Sequence, residues 1–180
     1  SQLDGSYSIC YGAWELENLP SRLSDSSLFD EYWGISQFVA DSAKLVIDKP
    51  VIAMPLPVDF SHPDKLYNRS TFGLDEDRFY FLFTYCVDST VNRKNPMAVI
   101  RAFQKAFPKF NSRTGLVLKA KVRQANASNR ELQSEIREMA NSDDRIILIE
   151  ENMSICKVKS LYINIDCYVS LHRSEGFGLT

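Results

Sequence analysis

The stretch FYFLFTYCVDSTVNRKNPMAVIRAFQKAF, residues 79–107, decides the fold. Its opening, Phe79 to Thr84, is a short and almost continuously apolar and aromatic run, the pattern of a strand buried on both faces. A polar stretch, CVDSTVNRK, follows and ends at Asn95-Pro96, which reads as an N-cap with proline at the first helical position. Val99, Ile100, Phe103 and Phe107 then recur on one face of a helix, and Pro108 marks its end. One strand has led, through a polar loop, into one amphipathic helix.

The same alternation continues downstream. Leu116–Lys119 (LVLK) reads as a second strand. Ser128 with Glu131 resembles a capping box, opening a helix with Leu132, Ile136 and Met139 on one face. Arg145–Ile149 (RIILI) is a third strand. Ser154 to about Ile165 is a helix with Val158, Leu161, Tyr162 and Ile165 inward, and Cys167–Leu171 (CYVSL) is a fourth strand. Strands and helices at this rhythm predict parallel strands joined by right-handed crossovers, a doubly wound, Rossmann-like α/β sheet.

Upstream, Trp33–Ser36 reads as a strand, Gln37–Ile47 as a helix and Val51–Met54 as a strand. Pro55, Pro57, His62 and Pro63 interrupt any regular pattern up to about Asp75, as in interdomain connections. The expected layout is the tail of one α/β domain over residues 1–55, a linker over 56–77, and part of a second domain over 78–180. The chain starts at Ser1 without a Met and stops at Thr180 just after a glycine-rich turn, so both ends read as fragment ends.

With 44% apolar and 24% charged residues, the 180-residue chain has the profile of a globular protein. A formal net charge of −2 supplies no field for a nucleic-acid groove. Cys10, Cys86, Cys156 and Cys167 stand far apart without a C-x-x-C pair; they read as buried free thiols and place the protein in the cytoplasm. No run approaches the ~18 apolar residues of a membrane span.

Ligands of open parallel sheets bind outside the carboxyl ends of the strands, and two loops there carry unusual chemistry. Asp88–Pro96 (DSTVNRKNP) puts Arg93 and Lys94 just before a helix, where amides and cations together favour a diphosphate; the alternative is a solvated basic pair. His172–Thr180 (HRSEGFGLT) follows the fourth strand. Gly176 and Gly178 would let the backbone approach a ligand, with a helix beginning nearby, or they form a plain tight turn. Glu175 could bind sugar hydroxyls, or complement a helix dipole as a first-turn acid. His172 reads as a polar ligand or as a satisfied histidine at a strand end. No histidines or carboxylates have metal-ligand spacing, and no G-x-S-x-G elbow supports a serine hydrolase.

DCYVSLHRSEGFGL, Asp166–Leu179, resembles the donor-site segment of the retaining GT-B glycosyltransferases (glycosyl transferases group 1). In that family a strand leads into an E-G-F-G-L-type turn, and a second glutamate lies eight positions past the first. Glu175 matches the first; the second would fall beyond Thr180. Asp88–Phe107 is similar to the loop and helix after the first strand of that family's donor domain, whose basic pair, matching Arg93 and Lys94, faces the nucleotide diphosphate. Many relatives carry a further arginine earlier in this loop, where Asp88 stands here. YGAWELENLP and FDEYWGISQFVADSA resemble the end of the family's acceptor domain, and PVIAMPLPVDF its run into the linker.

The resemblance implies a two-domain enzyme that moves a sugar from a nucleotide-sugar donor to a carbohydrate, lipid or protein acceptor, with retention of anomeric configuration and without a metal. The donor is a substrate, so no cofactor is expected. Glu175, Lys94 and Arg93 would be catalytic. Ser89, Arg93, Lys94, Glu150, His172, Glu175, Gly176, Phe177, Gly178 and Leu179 would bind the donor, with the base by the loop after Ile149 (EENMS). The chain alone is expected to be inactive and able to self-associate, with no nucleic-acid partner. Rival readings are a non-catalytic nucleotide-binding or interaction module, and an epimerase or phosphorylase on the same scaffold.

Overall fold

A computed structural model describes residues 5–20, 25–58, 61–88, 91–110, 113–122 and 127–178. The chain forms two compact units, Ser1–Phe60 with Ser174–Thr180, and Ser61–Arg173.

The first unit holds a parallel sheet of three short strands, β1 (Ile9–Gly12), β2 (Glu31–Gly34) and β3 (Val51–Ala53), in that spatial order. Helix α1 (Gln37–Lys44) packs on it through Val39, Ala40 and Ala43, all fully buried. Gly34 allows the close approach, since a Cβ there would lie 2.7 Å from the Ala40 backbone nitrogen. β2 stops two residues short of the expected Ser36, because Ser36 turns to cap α1, its Oγ accepting from Val39 N–H at 3.2 Å. The helix ends at Lys44 rather than Ile47. Ile47 nevertheless stays buried, its N–H closing a turn onto Ala43 O.

The second unit is a four-stranded parallel sheet. Its strands are β4 (Phe79–Cys86), β5 (Thr114–Lys121), β6 (Ile146–Ile149) and β7 (Cys167–Tyr168), in the spatial order β6-β5-β4-β7. The connections are a single turn α2 (Val91–Lys94) and α3 (Pro96–Ala106), then α4 (Ala127–Asn141), then α5 (Ile155–Asn164). Alternate strand residues divide two cores. Phe83, Tyr85, Leu116, Leu118 and Ala120 pack with Val99, Ile100 and Phe103 of α3 and Ile136 and Ala140 of α4. Tyr80, Leu82 and Val117 pack on the other face with Leu161 of α5 and Phe72. Both faces are covered, which is why β4 reads as an apolar run. Among the described residues no helix is long and apolar enough to cross a membrane.

Several local expectations change. Asn95 does not cap α3 with its side chain; it takes the left-handed conformation, φ 60°, between α2 and α3. Its N–H closes α2 onto Val91 O, and its side chain is drawn to Leu171 O. Pro96 does take the first helical position. α4 starts at Ala127, so Ser128 lies inside the first turn and is not its N-cap. Ser154 does cap α5 through Lys157 N–H. β7 pairs over only two residues instead of the five expected, although Val169 N–H still reaches Leu82 O at 2.9 Å. The four cysteines are free but partly buried, not fully.

Candidate functional site

The strand order fixes where a ligand would meet the second unit. From β4 the chain moves outward to β5 and β6, then α5 returns it to the opposite side of β4 as β7. β4 and β7 therefore flank a topological switch point, and ligands of open parallel sheets bind beyond the carboxyl ends of such strands. The loops leaving those ends are the two singled out in the sequence. They are tied together: Arg173 N–H donates to Arg93 O at 2.9 Å, and Asn95 Nδ2 donates to Leu171 O at 3.0 Å.

Arg93 and Lys94 form the end of the α2 turn, both half-buried. The start of α3 offers fewer amides than a bare helix would, because Pro96 has none and Ala98 N–H is bonded to Asn95 O. Cationic side chains, more than helix amides, would hold an anion here. His172 is half-buried, its ring edge-on to Phe83 with centroids 5.0 Å apart.

Glu150, at the carboxyl end of β6, is engaged by α4. It accepts from Gln133 Nε2 and from Arg137 Nε and Nη2, each at 2.8 Å. Burial alone would raise its carboxyl pKa, but the hydrogen bonds from Arg137 and Gln133 outweigh that and leave it lowered. Gln133 also accepts from Tyr85 Oη at 3.0 Å, carrying the network into the core. Beside β6 a pocket of about 300 Å³ is lined by Thr71, Phe72, Leu148, Ile149, Glu150, Glu151 and Met153. Its lining is part apolar and part carboxylate, and Glu150, Glu151 and Met153 belong to the loop after Ile149.

Glu175, Gly176, Phe177 and Gly178 belong to the first compact unit. Glu175 and Phe177 are half-buried, Gly176 is buried, and Gly178 has a left-handed φ of 74° that favours glycine. The close backbone approach that Gly176 makes is to Trp14, and no helix begins among the described residues through Gly178. Ser89 and Leu179 lie outside the described residues.

Sequence reasoning passed over Lys119, which is buried at the carboxyl end of β5 in register with Thr84 and Ile149. Burial pushes its ammonium pKa below the ordinary lysine value, with Glu151 and Glu150 opposing the shift and Lys121 adding to it. Its signal was a lysine closing an apolar strand pattern. Among the described residues no cluster of histidine, cysteine and carboxylate side chains could hold a metal ion.

The arrangement is a Rossmann-like, GT-B-like fold. It is similar to the N-terminal domain of trehalose-6-phosphate phosphatase from Candida albicans, at 11% identity and a TM-score of 0.62, over 89% of this chain and 43% of that one. It is also similar to apo OtsA, at 8% identity and a TM-score of 0.66, over 93% of this chain and 47% of that one. The chain thus spans less than half the length of either structure. At such identities the likeness concerns the fold. No protein-family model matches the sequence, and no curated protein matches it in sequence.

Proposed function

We propose that this chain carries donor-binding residues of a GT-B-type glycosyltransferase, which moves a sugar from a nucleotide-sugar donor to an acceptor with retention and without a metal. The observation that carries the reading is the pairing of the two loops at the switch point, where Arg173 N–H meets Arg93 O and Asn95 meets Leu171 O. Departure of a nucleoside diphosphate builds negative charge on its phosphates. Arg93 and Lys94 would stabilise that charge, most strongly in the transition state. Glu175 would hold donor-sugar hydroxyls and so fix the donor's orientation. The pocket lined by Phe72, Glu150 and Met153 would take the base. Free, half-buried cysteines fit a reducing, cytoplasmic setting.

A second reading has one observation in its favour. A similar fold occurs as the N-terminal domain of a protein named for a phosphatase reaction, so a non-catalytic nucleotide-binding or interaction module is compatible with it.

Calorimetry tests the proposal. Nucleoside diphosphates should bind, and Lys94→Ala should weaken them by about 1.5–3 kcal/mol, the range for a charge-assisted hydrogen bond. The circular dichroism and melting curve should stay those of the wild type. Unchanged diphosphate affinity in the folded variant would return Arg93 and Lys94 to a solvated basic pair. No binding of any nucleotide or nucleotide sugar at millimolar concentration would overturn the assignment altogether.

A further inference from the structure

We infer that Ser36 and Gly176 form a clasp that docks the 174–178 loop in the first unit, making Ser36 a positioning residue for Glu175. The Ser36 hydroxyl does two things at once. Its oxygen accepts from Val39 N–H at 3.2 Å, capping α1, and its proton is donated to Gly176 O at 2.8 Å. The hydroxyl supplies both functions from one atom, whereas a carboxylate accepts but has no proton to give.

A second, independent observation concerns Gly176 itself. It is buried, and a Cβ built on it would lie 2.8 Å from Trp14 O and 3.4 Å from Trp14 N and C. Neighbours that close are backbone atoms, which cannot swing aside as a side-chain tip would. Glycine is required at 176 by contact with the chain's own Trp14. The Trp14 backbone is in turn steadied by its indole, whose Nε1 donates to Asn18 O at 2.9 Å. Glu175 immediately precedes this anchored residue, so its backbone is held by a hydrogen bond on α1's cap and by steric fit to Trp14. A loop fixed in this way presents its carboxylate in one place. A free loop would first have to order it, at an entropic cost.

The clasp stands on the geometry alone; its consequence for a donor rests on the function proposed above. The experiment separates the two. Chymotrypsin cleavage after the half-buried Phe177, followed by mass spectrometry under native conditions, reports how often the loop opens. Ser36→Asp keeps the α1 cap and removes the donor to Gly176. It should accelerate that cleavage roughly 2- to 13-fold, as loss of one net hydrogen bond predicts, with the melting temperature unchanged. Gly176→Ala should accelerate it at least as much. Ser36→Thr, which keeps both functions, should cleave at the wild-type rate. A wild-type cleavage rate in Ser36→Asp overturns the clasp.

The second arm measures binding of nucleotide sugar and of the matching nucleoside diphosphate. Ser36→Asp should weaken the former several-fold and spare the latter. Equal weakening of both, or of neither, while cleavage is accelerated overturns the positioning role. If the wild type binds no nucleotide sugar, the proposed function has failed and the cleavage arm still decides the clasp.

Discussion

Asp143→Ala will lower the stability of the Ser61–Arg173 unit by about 3–5 kcal/mol, the cost of stranding a buried charge. Asp143 and Arg145 are 3% and 2% exposed, at the entrance to β6. Arg145 Nε and Nη2 donate to the two carboxylate oxygens at 2.8 and 2.7 Å. Its Nη1 donates to Phe107 O and Pro108 O, each at 2.8 Å, and its guanidinium stands 5.1 Å from the Phe103 ring centroid. One ion pair thus joins the end of α3 to the start of β6. Removing the carboxylate leaves the guanidinium desolvated and half-satisfied, which should appear as a fall of roughly 6–20 °C in melting temperature. Asp143→Ala with Arg145→Met should recover much of the loss, since a well-packed apolar replacement of a buried pair is often nearly neutral. A loss below about 1 kcal/mol in the single variant would show that the pair contributes little.

The pair also sets an acid limit. The hydrogen bonds from Arg145 hold the Asp143 carboxyl below its ordinary value. A carboxyl depressed in the folded state contributes stability that is fully present above the unfolded pKa, about 3.9 for Asp. That contribution is lost as pH falls through the lower, folded value. Wild type should therefore lose stability more steeply than the double variant below about pH 4. Parallel pH profiles would remove Asp143 from the acid response.

Much of the second unit was legible because its strands and longer helices carry their own local signals. β4 declares itself by aromatic and apolar residues on both faces, α3 by Val99, Ile100 and Phe103 behind Pro96, and α5 by Ser154 as its cap. What escaped was set by tertiary contact. β1 is four residues, Ile9–Gly12, with only alternate positions half-buried, so it has no hydrophobic run to announce it. Asn95 reads as a cap by residue type, but Leu171 O competes for its side chain and a connection between two helices claims its backbone. Even the buried ion pair was invisible, since Arg145 reads as the first residue of the third strand and Asp143 as part of a charged turn before it.

The candidate site divides in the same way. Arg93 and Lys94 stood out because two cations precede a helix in a loop leaving a buried strand. The link from their loop to Arg173 could not be foreseen, since it depends on β7 returning beside β4, a fact of topology. Glu150 illustrates the limit from the other side. It lies at a strand end, as a ligand-binding residue should, yet Gln133 and Arg137 of α4 already occupy its oxygens. Ser36 lies 140 residues from Gly176, and no periodicity or spacing connects a helix cap with a distant glycine-rich turn.

Glu175→Gln in the full-length protein should reduce turnover of nucleotide sugar roughly 10- to 1000-fold, while affinity for the matching nucleoside diphosphate barely changes. The motivating observation is a half-buried carboxylate directly before a buried, sterically fixed glycine. Glutamine keeps the size and one oxygen acceptor but loses the charge that strengthens hydrogen bonds to sugar hydroxyls. If that carboxylate orients the donor, the loss falls on the sugar-bearing ligand and on the transition state, whereas a diphosphate with no sugar does not report it. The competing role, an acid complementing a helix dipole, would contribute at most about 1 kcal/mol of stability and nothing specific to sugar. Measured at saturating donor, equal turnover in Glu175→Gln and wild type would remove Glu175 from the donor site. A uniform drop in affinity for diphosphate and nucleotide sugar would assign it to folding of the loop instead.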